Sequence, residues 1–279
     1  MVLPTVSVPI QPIKRNNKLY PTSPVAVTSA FCFKEKALLQ SKATGLVGYN
    51  LLFLLIGCIG TLTVGNTNEN FHHELEIERY LREKDFTKAM QVGQHALEAT
   101  QNLTALRALS LSNAGLMGEK LFTYPQYFGV DGLFLQDDTL QNLRYTNDSI
   151  YNHLGARPYN GGDKMNYLHS LCYDEKGKFT SLNYYLSALL LEKRLDTFAE
   201  VVADFIEPED TLPRHYKEAI IIYQADHSSY PYATTDSTLI QAYKTYKTRQ
   251  TTFTSKTEEK NQMRREFGDT YWWYHDYQE

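Results

Sequence analysis

Cysteine is nearly missing from this 279-residue sequence, with Cys32, Cys58 and Cys172 as its whole complement. The first two fall in the N-terminal tail and the apolar stretch after it. The one remaining thiol therefore has no partner for a disulfide and no companion for a CxxC metal knuckle. Cysteine usage fits an oxidising or a reducing compartment equally well, and the compartment has to come from topology. A concentrated basic face is also lacking. The 28 Lys and Arg residues stand against 32 Asp and Glu, for a formal charge of -4. Outside the N-terminal tail no Lys/Arg cluster of the phosphate-binding kind occurs, which argues against nucleic acid as a partner. After residue 66 there is no GxSxG elbow, P-loop or GxGxxG run, so serine-hydrolase, nucleotide and dinucleotide chemistry lack a motif. No cofactor and no bound metal are expected on these grounds.

What is present is enough apolar material to fold. Hydrophobic residues make up 42% of the chain, so a packed core or an elongated array is expected rather than disorder. The 21 tyrosines gather mostly in the second half, where they can pack a ring inward while the hydroxyl reaches water.

Between Lys42 and Glu69 no side chain is charged, and TGLVGYNLLFLLIGCIGTLTVG covers Thr44 to Gly65. As a helix this stretch is about 33 Å long at ~1.5 Å per residue, enough for a hydrocarbon core, and it predicts one transmembrane helix over 44–65. Lys14, Arg15, Lys18, Lys34, Lys36 and Lys42 precede it against a single Glu35, and Asn-rich NTNEN follows. By the positive-inside bias the N-terminus is cytoplasmic and the C-terminal domain periplasmic, on a single-pass protein of the inner membrane. Residues 1–43 carry Pro4, Pro9, Pro12, Pro21 and Pro24 and read as an irregular tail. That tail is too long for a cleaved secretory signal. Leu55-Ile56-Gly57-Cys58 has the look of a lipobox, but an apolar run up to Val64 follows where a lipoprotein has a polar tether.

Residues 66–279 read as an all-α, helical repeat-like soluble domain. Glu69 to Glu98 predicts two amphipathic helices that turn at Lys84-Asp85. Counting from Tyr80, small residues fall at Ala89, Gly93 and Ala96, the offsets at which tetratricopeptide hairpins bring their helices close. The same offsets counted from Leu190 reach Ala199, Ala203 and Ile206, which predicts a repeated, α-solenoid-like unit. Asn102 is expected to cap a helix running to Gly118, and Asp163 and Asp236 to cap two more. Pro213 is placed at a first helical turn, before RHYKEAIIIYQA. GEKLFTYPQYFGVDGLFLQ, rich in Gly, Pro and aromatics, predicts an ordered loop. The terminal DTYWWYHDYQE carries too much ring area to leave in water and is expected to dock on the last helices.

Five segments together resemble an uncharacterised bacterial family of membrane proteins, the domain of unknown function 6057. They are FHHELEIERYLREKDFTKAM, EKLFTYPQYFGVDGLFL, YNHLGARPYN, TLPRHYKEAIIIY and FGDTYWWYHDY. The resemblance runs through nearly all of residues 69–279 and is to the family's C-terminal half. It implies a multi-spanning N-terminal half followed by an extracytoplasmic domain of tetratricopeptide-like helices. This chain has a single convincing span, so it reads as a shortened member or a piece. The resemblance implies no catalytic residues.

Candidate chemistry is sparse. His72 and Glu76 lie four apart and offer two metal ligands, but the zinc-protease spacing and a third ligand are missing, so a solvated first turn fits better. His153 and His169 flank Asn160-Gly161-Gly162 and are candidate pocket residues, in a loop of a kind that more often simply connects. Asp137-Asp138 and Glu207, Glu209 and Asp210 are candidate paired carboxylates for glycoside chemistry, which requires convergence that spacing alone does not supply. Tyr271, Trp272, Trp273 and Tyr274 are candidates for holding a sugar or peptide, or for packing the end of the core. The reading that unites these features is a membrane-anchored helical-repeat scaffold that binds a protein or peptide partner outside the inner membrane. The alternative is an envelope hydrolase or transferase acting on glycan or lipid.

Overall fold

The computed structural model describes residues 43–64, 68–94, 96, 98–136, 143–159, 162–208, 211–232 and 234–278, with the side chains of the first helix described over 47–62. Among the described residues there are thirteen α-helices and two short 3-10 turns, and no strand. The chain divides into two compact units, Met1–Asn66 and Thr67–Glu279.

In the first unit α1 (Ala43–Val64) is one unbroken helix without an amphipathic stripe. Its large apolar side chains, from Val47 to Leu62, are 52% to 75% exposed, so this unit buries none of them deeply. Thr61 returns its hydroxyl to the Cys58 carbonyl at 2.8 Å, which satisfies it without water. Among the described residues no helix is long and apolar enough to cross a membrane, the described side chains of α1 being confined to 47–62.

The second unit opens with a hairpin of α2 (Glu69–Glu83) and α3 (Phe86–Gln91). Asn68 caps α2 and Asp85 caps α3, and the chain reverses at Lys84, at φ 59°. The second helix of this hairpin does not continue to Glu98. It stops at Gln91 because Val92 turns extended and Gly93 takes φ 59°, a left-handed value at which L side chains are strained. The freed carbonyls of Val92 and Gly93 accept from Arg107 Nη2 at 3.1 and 3.2 Å. Thr100, not Asn102, caps α4 (Gln101–Asn113), and Asn102 instead accepts from the Gln136 amide at 2.9 Å. That helix also ends early, at Asn113, because Gly115 (φ 70°) breaks it before the single turn α5 (Met117–Lys120).

The expected ordered loop holds α5 and two 3-10 turns, η1 (Leu121–Thr123) and η2 (Gly129–Leu133). After it come α6 (Asn147–Leu154), held by a capping box of Thr146 and Ser149, and α7 (Lys164–Tyr173), capped by Asp163 as its position predicted. Next are α8 (Phe179–Leu191), α9 (Leu195–Phe205) and α10 (Arg214–Asp226), with Pro213 one residue outside α10. Asp236 caps α11 (Ser237–Gln250), and α12 (Lys256–Phe267) and α13 (Tyr271–Tyr277) complete the described chain.

The hairpins α2–α3 and α8–α9 turn through the same geometry. Lys84 and Lys193 are both left-handed, at φ 59° and φ 55°. In each case two amide donors reach back alike, Lys84 to Leu81 and Asp85 to Tyr80, Lys193 to Leu190 and Arg194 to Leu189. The turns therefore pair Tyr80 with Leu189, one residue before the Leu190 from which the tetratricopeptide offsets were counted. In this register Ala89 corresponds to Phe198 and Gly93 to Val202, so the small residues do not recur. Ala203 is exposed, and the inner face of α9 follows Phe198, Val201 and Val202.

Helix α8 is the hub, packing against α4, α5, α6, α7, α9 and η2. Leu186, Ala188, Leu189 and Leu190 are wholly enclosed there. Helix α10 packs on α5 with almost no gap. A Cβ on Gly118 would stand 2.8 Å from the Pro213 ring and 2.9 Å from the Tyr216 ring. Gly118→Ala is expected to force α5 off α10 and to destabilise the full-length protein by about 1–3 kcal/mol, read from urea unfolding.

Candidate functional site

The C-terminal aromatic helix docks as expected, and farther into the core than on the last helices alone. Thr270 caps α13 by accepting from the Trp273 amide at 3.2 Å. Tyr271, Trp272 and Tyr274 are buried against α10, and the Tyr274 hydroxyl reaches the Leu191 carbonyl of α8 at 2.8 Å. Glu218, 0% exposed, organises the contact. Its carboxylate accepts from Arg214 Nε at 2.8 Å, from His215 Nδ1 at 3.0 Å and from the Tyr271 amide at 2.7 Å. The Trp272 indole donates to the Glu218 carbonyl at 2.9 Å. Arg214 extends the network to Asp269 at 3.1 Å.

On the other side α13 is held by Asp276. Its carboxylate accepts from the Tyr246 hydroxyl at 2.8 Å, Gln250 Nε2 at 2.9 Å and Lys247 Nζ at 3.2 Å, all on α11, and pairs with His275. Burial works to raise its pKa, but the hydrogen bonds from His275, Tyr246 and Gln250, with the charge of Lys247, prevail and hold it well below the usual carboxylate range.

Docked in this way, α13 forms one wall of a cleft of about 250 Å³. Trp273 and Tyr274 stand on that wall, with Arg264 from α12 beside them. The opposite wall is Phe122, Tyr124, Pro125 and Tyr127, on and just after η1. Gln94, Gln126 and Gln278 add carboxamides. None of the described lining residues is a carboxylate or a histidine. The two walls meet at Phe122, whose ring lies 5.0 Å from Tyr271 and 4.9 Å from Tyr274, and 5.2 Å edge-on from His215. Arg264 bridges them by donating to the Tyr127 hydroxyl at 2.9 Å.

Three of the lining rings carry cations. The Arg107 guanidinium lies 4.5 Å from the Tyr124 ring, Arg264 lies 5.5 Å from Trp273, and Lys193 Nζ lies 5.8 Å from Tyr274. Arg107 is only 2% exposed, and among the described residues its Nε and Nη1 have no hydrogen-bond partner. Burial lowers its pKa to about 10, which leaves it charged at neutral pH.

Of the residues singled out from the sequence, Trp273 and Tyr274 line this cleft, while Tyr271 and Trp272 lie behind it in the core. His153 and His169 lie elsewhere. His153 contacts Ser112 at 2.8 Å, and burial lowers its pKa, with Lys178 acting in the same direction. His169 is exposed on α7 and stacks on Tyr173 at 4.5 Å. His72 and Glu76 are exposed, and Glu76 faces Arg79 at 3.8 Å. Asp137, Asp138, Glu209 and Asp210 lie outside the described residues, as do Asn160 and Gly161. Among the described residues no three His, Cys, Asp or Glu side chains converge as a metal site. Sequence reading missed Arg264 and the 122–127 wall. The alternation of aromatics with Pro125 in FTYPQYF was a legible signal for the wall, whereas nothing marked Arg264 among its charged neighbours.

The fold and cleft define an all-α protein of consecutively packed helices with an aromatic, cation-backed cleft. The chain belongs to a family of unknown function, DUF6057, which it matches over residues 2–157 and 159–278. The match includes the N-terminal residues that the five resembling segments did not reach. No curated protein and no solved structure matches the chain.

Because the Asp276 pKa is depressed in the folded state, its contribution to stability is full above the unfolded pKa and is lost as pH falls toward the folded value. Asp276→Asn is expected to be less stable than the wild type by a constant margin from neutral pH down to about pH 5. Below about pH 4 that margin narrows, as read from denaturant midpoints across pH.

Proposed function

We propose that this chain is a membrane-anchored, non-enzymatic scaffold whose helical domain binds a protein or peptide partner on the outer side of the inner membrane. The observation that carries the anchoring is α1. No charged residue falls between Lys42 and Glu69, and the large apolar side chains described along α1 are exposed on every face. Leaving so much apolar surface in water costs roughly 25 cal/mol per Å², and lipid removes that cost. The basic residues ahead of the helix support an inside N-terminus.

Binding rather than catalysis is supported by the cleft. A glycan hydrolase needs two carboxylates converging across the bond it cleaves, and the described lining supplies rings, amides and a guanidinium. The shared turn geometry of α2–α3 and α8–α9 supports reading the domain as a degenerate helical-hairpin array of the tetratricopeptide type, with hairpin packing retained and small-residue spacing lost.

Side-specific reporters fused before residue 44 and after Glu279 of the full chain are expected to report opposite sides of the membrane, with the C-terminal reporter outside. Both reporting the cytoplasm would overturn the anchoring and the assignment of partners to the envelope.

A further inference from the structure

We infer that the cleft captures the free C-terminal end of a peptide, with Arg264 reading the terminal carboxylate and the aromatic walls holding the last side chain. The inference rests on the interaction reading above and adds the chemistry of the ligand.

Charge is the first argument. Three of the rings that line the cleft have a cation over them, Arg107 on Tyr124, Arg264 on Trp273 and Lys193 on Tyr274. No described lining residue is acidic. Glu192, whose charge acts on Tyr274, is engaged with the Val130 amide at 2.9 Å. Among the described residues Arg264 makes no ion pair and spends one donor on Tyr127, and it is exposed. Glu192 offsets Lys193 beside Tyr274, so the charge that the described lining itself presents is Arg264, which a single negative group would balance.

Size and donor chemistry narrow the ligand. A volume of about 250 Å³ suits one residue with its terminal carboxylate rather than a long segment. The rings offer flat apolar faces for a side chain, and the carboxamides of Gln94 and Gln278 can pair with a peptide group. A sugar acid would also supply a carboxylate. Its several hydroxyls, however, would have to share the few carboxamide oxygens of the described lining, which holds no carboxylate of the kind that takes paired sugar hydroxyls.

The test uses the full chain in detergent micelles and fluorescently labelled tetrapeptides ending in Phe, Leu, Ala or Gly, each made as the free acid and as the C-terminal amide. Binding is read by anisotropy. At least one free acid is expected to bind about tenfold or more tightly than its amide, as a charge-assisted hydrogen bond provides. Arg264→Gln is expected to bring that ratio close to one, and Arg264→Lys to retain part of it; because Arg264 also bridges the walls through Tyr127, the acid-to-amide ratio and not affinity alone is the readout. If acid and amide bind equally and Thr123→Trp, which fills the cleft from a residue that also lines it, abolishes both, the carboxylate inference fails and the interaction reading stands. If no peptide binds, the inference and the cleft's role in interaction both fail. Binding of glucuronate in place of any peptide would transfer the site to sugar acids and overturn the inference.

Discussion

A carboxylate with no access to water must be surrounded by donors, and the geometry of Glu218 follows from that requirement. Breaking a buried charge cluster by removing one partner typically costs about 3–5 kcal/mol, because the charge left behind has nowhere to turn. Glu218 meets the requirement with donors from two sources, Arg214 and His215 on its own helix and the Tyr271 backbone from the far end of the chain. The last of these, with the Trp272 indole on the Glu218 carbonyl, fixes α13 in place. Both aromatic walls of the cleft depend on this point, since Phe122 packs on His215 from one side and on Tyr271 and Tyr274 from the other.

The consequence is a site assembled from remote sequence. Arg264 and Tyr127, which close the cleft with one hydrogen bond, are 137 residues apart. Asp276 acts as a second clamp on the opposite side of α13, tying it to α11. With one carboxylate on each side, a helix of seven residues, too short to be stable alone, becomes a rigid wall. Arg107 supports the opposite wall in a comparable way, held by the Val92 and Gly93 carbonyls and set against Tyr124.

Local signals in the sequence were readable where the chemistry is local. Asp163 and Asp236 cap the helices they precede, Lys84-Asp85 turns the first hairpin, and the aromatic tail is buried, because caps, turns and exposed ring area act within a few residues. Illegible features were those set by partners far away. The length of α3 is limited by Gly93 together with Arg107 from the next helix, and the cap of α4 falls at Thr100 while Asn102 serves Gln136. Counting offsets from Leu190 missed the structural register by one residue, because the equivalent of Tyr80 is defined by the left-handed turn at Lys193 and not by small residues. Of the site, Trp273 and Tyr274 were legible as aromatics in a costly cluster. Their neighbour Arg264 was not, since a guanidinium that stacks on a ring has the same sequence signature as one in solvent.

The chain has only two tryptophans, adjacent in sequence and set in different surroundings. Hydrogen exchange of their indole N–H groups, followed by NMR on the folded full-length protein, tests the Glu218 account most directly. The Trp272 indole, enclosed and bonded to the Glu218 carbonyl at 2.9 Å, is predicted to exchange only as the domain unfolds, and the Trp273 indole, in the cleft wall with only a 3.5 Å bond to the Lys260 carbonyl, to exchange faster. Exchange of Trp272 at the rate of a free indole in the folded protein would contradict the account, because α13 would then not be pinned and the cleft would lose its wall.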